Sequence, residues 1–242
     1  MQSIRITGIY DNTKVKDSLI SGWGFSVLIS GPDYRILFDT GADLKVLSHN
    51  MEELGVSPET LDSVFLSHPH CDHLGGLSVI LDGNSHLRVY LTESFPRSLM
   101  NKIKDYGAEP VIVSEPEKLM NGIYTTGEMH STYRRSKLPE QSLILESERG
   151  PLVISGCAHP GITRIVQRAG KIMERSLHLV LGGFHLGGAR EEEIEEVVSK
   201  LTSNSIEKFA PTHCTGEKAI AMMKEEFQEC FLEFGAGKEI LI

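Results

Sequence analysis

The chain has 242 residues and a formal net charge of −9, which is length enough for one large domain or two small ones. An acidic balance with no run of Lys and Arg argues against a long nucleic acid as partner, because such a surface repels a phosphate backbone. No apolar stretch reaches membrane-spanning length, and "MQSIRITGIY" lacks the charged-then-apolar plan of a signal peptide, so the sequence reads as cytoplasmic with no membrane partner.

Apolar runs rich in β-branched residues mark strands, and longer amphipathic stretches mark helices. In chain order the predicted strands are "SIRITGIY", "GFSVLIS", "RILFD", "SVFLS", "LRVYL", "PVIVS", "GIYTTG", "SLILES", "PLVISG", "LHLVLGG", "EKFAP", "CFLEF" and "KEILI". Helices are predicted at "DLKVLSHNMEELG", "SFPRSLMNKIKDYG", "ITRIVQRAG", "REEEIEEVVSKLTS" and "GEKAIAMMKEEF". In the fourth helix Ile194, Val197, Val198 and Leu201 recur at helical spacing. Its glutamates fill the other face and the first turn, where the helix dipole favours negative charge. Strands, then helices, then strands and helices again suit an α/β sandwich of two mixed sheets with helices on the outer faces.

The residues that carry chemistry all follow predicted strands. Asp39 comes after "RILF", His68 to His73 after "SVFLS", His159 after "PLVISGCA", His185 after "LHLVLGGF" and His213 after "EKFAPT". Reactive groups on loops of a rigid scaffold are the usual arrangement of a functional site. The densest loop is "SHPHCDHLGG", which crowds His68, His70, Asp72 and His73 together. Core packing asks for no such cluster. Imidazole suits Zn, Fe, Mn and Ni, and a carboxylate adds charge and hardness. On a turning segment His68 and His70 face one point, while Asp72 and His73 are aimed at a second. Gly75 and Gly76 let the chain pass close by. Cys71, Cys157, Cys214 and Cys230 form no CxxC pair, so neither a redox motif nor a disulfide framework is indicated. The first three stand beside histidines of these loops. They read as small, semi-apolar residues lining a buried site, with direct thiolate ligation as the alternative.

"SHPHCDHLGG" resembles the HxHxDH signature of the metallo-β-lactamase superfamily, and the match continues in order through "ILFDTG", "SGCAHPGI" and "PTHCTG". The resemblance implies the αββα sandwich of the metallo-β-lactamase fold, as a single domain over residues 1–242. It assigns His68, His70 and His159 to one divalent ion and Asp72, His73 and His213 to a second. Zinc is the expected metal, with Mn, Fe or Mg as alternatives and one or both sites filled. Asp39 is expected to hold the metal loop by hydrogen bonds. Most hydrolases of the superfamily carry an Asp that bridges both metals after the strand equivalent to "LHLVLGG". Here Gly182 and Gly183 stand in that place and His185 follows. A shared anion offsets the repulsion between two cations, so the second site is expected to be weaker and an Asp at Gly183 to strengthen it. Asp72 and His185 are assigned catalytic work, His185 as a replacement ligand or a substrate contact.

Within the superfamily, "YDNT", "GFSVLI", "SGCAHPGI", "GGFHLGG" and "PTHCTG" together resemble the dihydropteroate-synthase-like branch. That implies pterin C–N condensation with loss of diphosphate, on a small anionic or pterin-like substrate. The anion is expected at the helix starts in "HPGITR", "HLGGAREEE" and "HCTGEK", since backbone N–H groups at such starts bind anions. Arg134, Arg135, Arg190 and Lys218 are the candidate side chains for it. Phe184 and Trp23 are candidate stacking rings, with core packing the preferred reading for each. Two other functions stay open: metal-dependent hydrolysis of a phosphodiester, thioester or lactone, and a non-catalytic metal-bound sensor or binding module. The sequence carries no signal for oligomeric state.

Overall fold

Residues 3–242 are described by a computed structural model, in which every predicted strand but one forms. Met1 and Gln2, at the head of the N-terminal stretch read above, lie outside the described residues. The chain opens with β1 (Arg5–Tyr10), β2 (Ser26–Ser30) and β3 (Arg35–Phe38). Next come α1 (Leu44–Glu53), β4 (Ser63–Phe65), the short helices α2 (Cys71–Leu74) and α3 (Leu77–Gly83), β5 (Arg88–Leu91), α4 (Arg97–Asp105) and β6 (Glu109–Ile112). A second compact unit runs from Glu115 to Glu233. It holds β7 (Glu117–Met120), β8 (Ile123–Thr125), β9 (Thr132–Tyr133), β10 (Ser136–Lys137), β11 (Leu143–Leu145) and β12 (Leu152–Ser155). It continues with α5 (Ile162–Met173), β13 (Leu179–Gly183), α6 (Glu191–Thr202), β14 (Lys208–Thr212) and α7 (Glu217–Phe227). The last strand, β15 (Glu239–Leu241), belongs to the first unit.

The first unit is built on one mixed sheet in the order β15-β1-β2-β3-β4-β5-β6. β15 to β3 pair antiparallel, and β3 to β6 pair parallel. Parallel neighbours need crossover connections, which α1, the α2–α3 pair and α4 supply. A parallel strand covered on both faces reads as an unbroken apolar run, as "SVFLS" and "RVYL" do. Leu47 and Met51 of α1, Leu77 and Ile80 of α3 and Ile103 of α4 share a buried cluster with Leu37, Val64 and Val89 of the sheet. Asp43 caps α1 by accepting the amides of Lys45 and Val46, a contact worth about 1 kcal/mol.

The second unit has its own mixed sheet, β14-β13-β12-β11-β8-β7, with β12, β13 and β14 parallel and the rest antiparallel. α5 and α6 are its crossovers. Ile162, Ile165, Val166 and Ala169 of α5 and Ile194, Val198 and Leu201 of α6 are buried in one cluster with Val153 and Val180. The glutamates of α6 lie on the exposed side, as the periodicity requires. Arg134 and Arg135 form the two-residue turn between β9 and β10, with φ of +47° and +69°, a geometry that ordinarily takes Asn and Gly.

Several local readings are corrected. "CFLEF" forms only an isolated bridge from Phe231 to Phe209, because a 3₁₀ turn at Gln228–Cys230 takes up its start. Gly75 and Gly76 open onto helix or turn in the sequence, and the chain takes helix there as α3; a short apolar run such as "LSVIL" has no periodicity that separates helix from strand. β7, β9 and β10 carry too few apolar residues to signal strand.

In each sheet the buried polar loops follow the parallel strands, at the carboxyl ends where open α/β sheets bind ligands. Asp39 follows β3 and Ser67–His73 follows β4; Cys157–His159 follows β12, His185 follows β13 and His213 follows β14. The register Ser155↔Gly182 and Gly183↔Thr212 sets the last three loops side by side.

Candidate metal centre

Asp39 leaves β3 with φ +53° and is fully buried. Its Oδ1 accepts the Ser67 amide at 2.8 Å, and its Oδ2 accepts the Ser67 hydroxyl at 2.7 Å and Nδ1 of His73 at 2.6 Å. These contacts fix two tautomers. Ser67 has one hydroxyl proton and gives it to Asp39, so its oxygen accepts from Nδ1 of His68 at 2.9 Å. His68 and His73 therefore carry their protons on Nδ1 and keep the lone pair on Nε2, the metal-binding form.

Nε2 of His68 stands 3.1 Å from Nδ1 of His70, and Nε2 of His73 stands 3.8 Å from Oδ2 of Asp72. Two nitrogens bound to one tetrahedral zinc at roughly 2.0–2.1 Å lie about 3.3 Å apart. The spacing and donor chemistry of this loop thus fit a divalent ion. The loop is held from the side by Thr40, whose amide and hydroxyl both donate to the His73 carbonyl, at 2.8 and 3.0 Å. A Cβ at Gly75 would lie 1.8 Å from the carbonyl oxygen of Ala42, so the motif needs glycine there to seat its helix. The Trp23 indole donates to Oδ2 of Asp72 at 2.8 Å while the side chain stays 61% exposed. Core packing is therefore the wrong reading for Trp23. It is the right one for Phe184, which is buried in the core of the second unit.

The second unit fixes its own donor loop with a residue that sequence reasoning missed. Glu140 is buried, and its Oε1 accepts the amides of Cys157 and Ala158, both at 2.9 Å, while Oε2 accepts the amide of His159 at 2.8 Å. Nothing local singles out Glu140; the one clue is an acid standing directly before the buried run "QSLIL". Ala158, His185 and His213 all sit at positive φ, +57°, +54° and +51°. Such conformations cost about 1–3 kcal/mol each and cluster at functional sites.

The rings of His159 and His185 lie 4.3 Å apart, centroid to centroid. The sulfur of Cys157 lies within 4.8 Å of a ring nitrogen of His159 and of one of His213. Cys157, His185 and Cys214 form a further group whose donor atoms are all within 4.8 Å of one another. Cys214 donates to the Cys157 carbonyl at 3.6 Å. Burial pushes the Cys214 thiol up, but hydrogen bonds with Cys157 and His185 and the charges of His213 and His185 bring it well below its ordinary pKa. Cys71 is exposed and lines no buried site.

A Cβ at Gly183 would meet the Gly156 carbonyl at 2.4 Å and the Cys214 sulfur at 2.6 Å. Backbone and thiol therefore fill the space that the side chain of an Asp at this position would need.

The candidate anion ligands lie at the surface. Arg190 caps α6 together with Glu193, its amide reaching Oε2 at 2.9 Å and its guanidinium Oε1 at 3.0 Å. Lys218 pairs with Glu191 at 3.0 Å. Arg134 and Arg135 are exposed at the β9–β10 turn. α5, α6 and α7 begin where the sequence placed helix starts, although the first turn of α6 is lined by Glu191, Glu192 and Glu193.

The family model described as "Metallo-beta-lactamase superfamily" matches residues 24–161. The chain is 31% identical to the 7,8-dihydropterin-6-methyl-4-(β-D-ribofuranosyl)-aminobenzene-5′-phosphate synthase of Methanocaldococcus jannaschii, over 90% of this chain and 89% of that one. Among solved structures it is similar to Tm1679, titled a metal-dependent hydrolase of the β-lactamase superfamily, with 27% identity, a TM-score of 0.81 and 98% of each chain covered. It shares the fold of YhfI from Bacillus subtilis, a metallo-β-lactamase fold protein, with a TM-score of 0.73 at 14% identity over all of both chains. A family match over more than half its length and a relative aligned almost end to end agree, and the chain belongs to the metallo-β-lactamase superfamily.

Proposed function

We propose that the protein is a metal-dependent enzyme of pterin C–N condensation, in which diphosphate leaves an activated pterin and an arylamine takes its place. The observation that carries this reading is the 31% identity to the Methanocaldococcus jannaschii synthase across 90% of the chain. We assign His68, His70 and His159 to one divalent ion and Asp72, His73 and His213 to a second, with both units acting as one domain over residues 1–242. Zinc is the metal we favour, over Mn, Fe or Mg. The tautomers fixed by Asp39 and Ser67 support the assignment of His68 and His73. Bound metal supplies Lewis-acid stabilisation of phosphoryl oxygens.

The protein's own groups do the rest. His185 has an exposed ring beside that of His159, and we assign it proton exchange with the substrate through a ring nitrogen. Asp72 is steadied by the Trp23 indole, whose exposed face suits a flat pterin ring. Arg134 and Arg135 take the anionic end of the substrate. Arg190 and Lys218 join them by exchanging Glu193 and Glu191 for phosphate oxygens. We place the enzyme in the cytoplasm, acting on a small molecule; among the described residues no helix is long and apolar enough to cross a membrane.

The test is to supply the purified protein with a pterin diphosphate and an arylamine and to follow both products. Condensation requires diphosphate release that depends on the amine. A hydrolytic reading is favoured by the similarity to Tm1679. It is supported instead if diphosphate is released without amine, or if a phosphodiester, thioester or lactone is turned over.

A further inference from the structure

We propose that Cys157 is a direct thiolate ligand of the metal centre and supplies the anion that most hydrolases of the superfamily draw from the aspartate missing here; this rests on the metal-binding reading above. The first support is position. The Cys157 sulfur is within 4.8 Å of a ring nitrogen of His159 and of a ring nitrogen of His213, the two histidines assigned to different ions. A donor in that place serves either ion or both, as a shared carboxylate does.

The second support is the state of the vacated position. A Cβ at Gly183 would lie 2.4 Å from the Gly156 carbonyl oxygen, 2.6 Å from the Cys214 sulfur and 3.2 Å from the Cys157 Cα, so a side chain there enters only by displacing them. The Gly156 carbonyl, the Cys214 sulfur and the backbone of Cys157 take up the room an aspartate would need. The third is rigidity. Glu140 grips the amides of residues 157, 158 and 159 together, so the sulfur and the His159 ring leave one clamped segment. Cys157 is 3% exposed, which places its sulfur among these donors rather than in solvent.

Charge argues the same way. Histidine ligands are neutral, so the assigned set sets one carboxylate, Asp72, against two dications. A thiolate adds a second negative charge and offsets more of their mutual repulsion. On binding, the thiol proton passes to solvent and a sulfur electron pair forms the metal–sulfur bond, with no change in oxidation state.

The experiment strips the protein with chelator and reloads it with Co(II), which reports thiolate ligation as a sulfur-to-cobalt charge-transfer band in the near ultraviolet. The band is expected in the wild type and in Cys214→Ser, and it is expected to be lost in Cys157→Ser while cobalt is still bound. A cobalt-loaded wild type without the band, or a band that survives Cys157→Ser and vanishes in Cys214→Ser, overturns the proposal. X-ray absorption of the zinc-loaded wild type and Cys214→Ser gives an answer that does not need Cys157→Ser to fold. Both are expected to show a sulfur neighbour at about 2.3 Å, and a purely nitrogen and oxygen shell in either overturns the proposal. A wild type that takes up no metal defeats the metal-binding reading as well, whereas metal bound without sulfur defeats this inference alone.

Discussion

Nδ1 of His73 donates to Oδ2 of Asp39 across 2.6 Å, and both side chains are fully buried. The carboxylate sets which ring nitrogen of His73 carries the lone pair. Asn at position 39 cannot accept from both His73 and Ser67 through one nitrogen-bearing arm. Asp39→Asn is expected to weaken metal binding by about 10–100-fold, the usual effect of losing an outer partner of a ligand. Calorimetric metal titration measures it. A loss as complete as that of His70→Ala would mean that Asp39 binds the metal itself.

His70→Ala is expected to strip most bound metal and to abolish activity, because it removes the nitrogen that faces Nε2 of His68 at 3.1 Å. Elemental analysis of protein purified without chelator is the check. Metal at the wild-type level in that variant would remove His70 from the ligand set.

Glu140→Gln keeps the shape of the side chain but turns one of its acceptor atoms into a donor, opposite backbone amides that also donate. The buried mismatch is expected to cost about 1–3 kcal/mol of stability and to loosen the His159 loop. Urea unfolding reads the first effect and metal titration the second. Unchanged values in both would show that the 157–159 turn is held by its neighbours alone.

Gly183→Asp is expected to destabilise the fold. A carboxymethyl group has to displace the Cys214 sulfur and the Gly156 carbonyl, and overpacking of this kind costs about 1–3 kcal/mol. Chemical denaturation beside the wild type measures the cost. A variant of full stability with tighter metal binding would show that the loop opens to admit the side chain.

What was legible in the sequence is what is encoded locally. The buried parallel strands announce themselves as unbroken apolar runs, and α6 by the spacing of Ile194, Val198 and Leu201. The histidine-rich loop is visible because its donors are neighbours in the chain. Glu140 was invisible because its partners lie 17 to 19 residues downstream and are backbone amides, which leave no mark in sequence. The place of Cys157 depends on the register between β12, β13 and β14, which no local pattern reports. Trp23 was misjudged because a large aromatic usually pays its way in a core, whereas this one spends its N–H on Asp72 at the surface.

The buried carboxylates of Asp39 and Glu140 receive their hydrogen bonds from the protein itself. The donor loops are therefore shaped by folding and do not wait for an ion to shape them. In a zinc finger the free energy of metal binding is the free energy of folding; here the two are separate ledgers. Chelation is expected to leave a cooperatively folded protein whose circular dichroism matches that of the loaded form, and added metal is expected to restore it without a refolding phase. The ion can then be lost, regained or exchanged during the life of a single folded molecule.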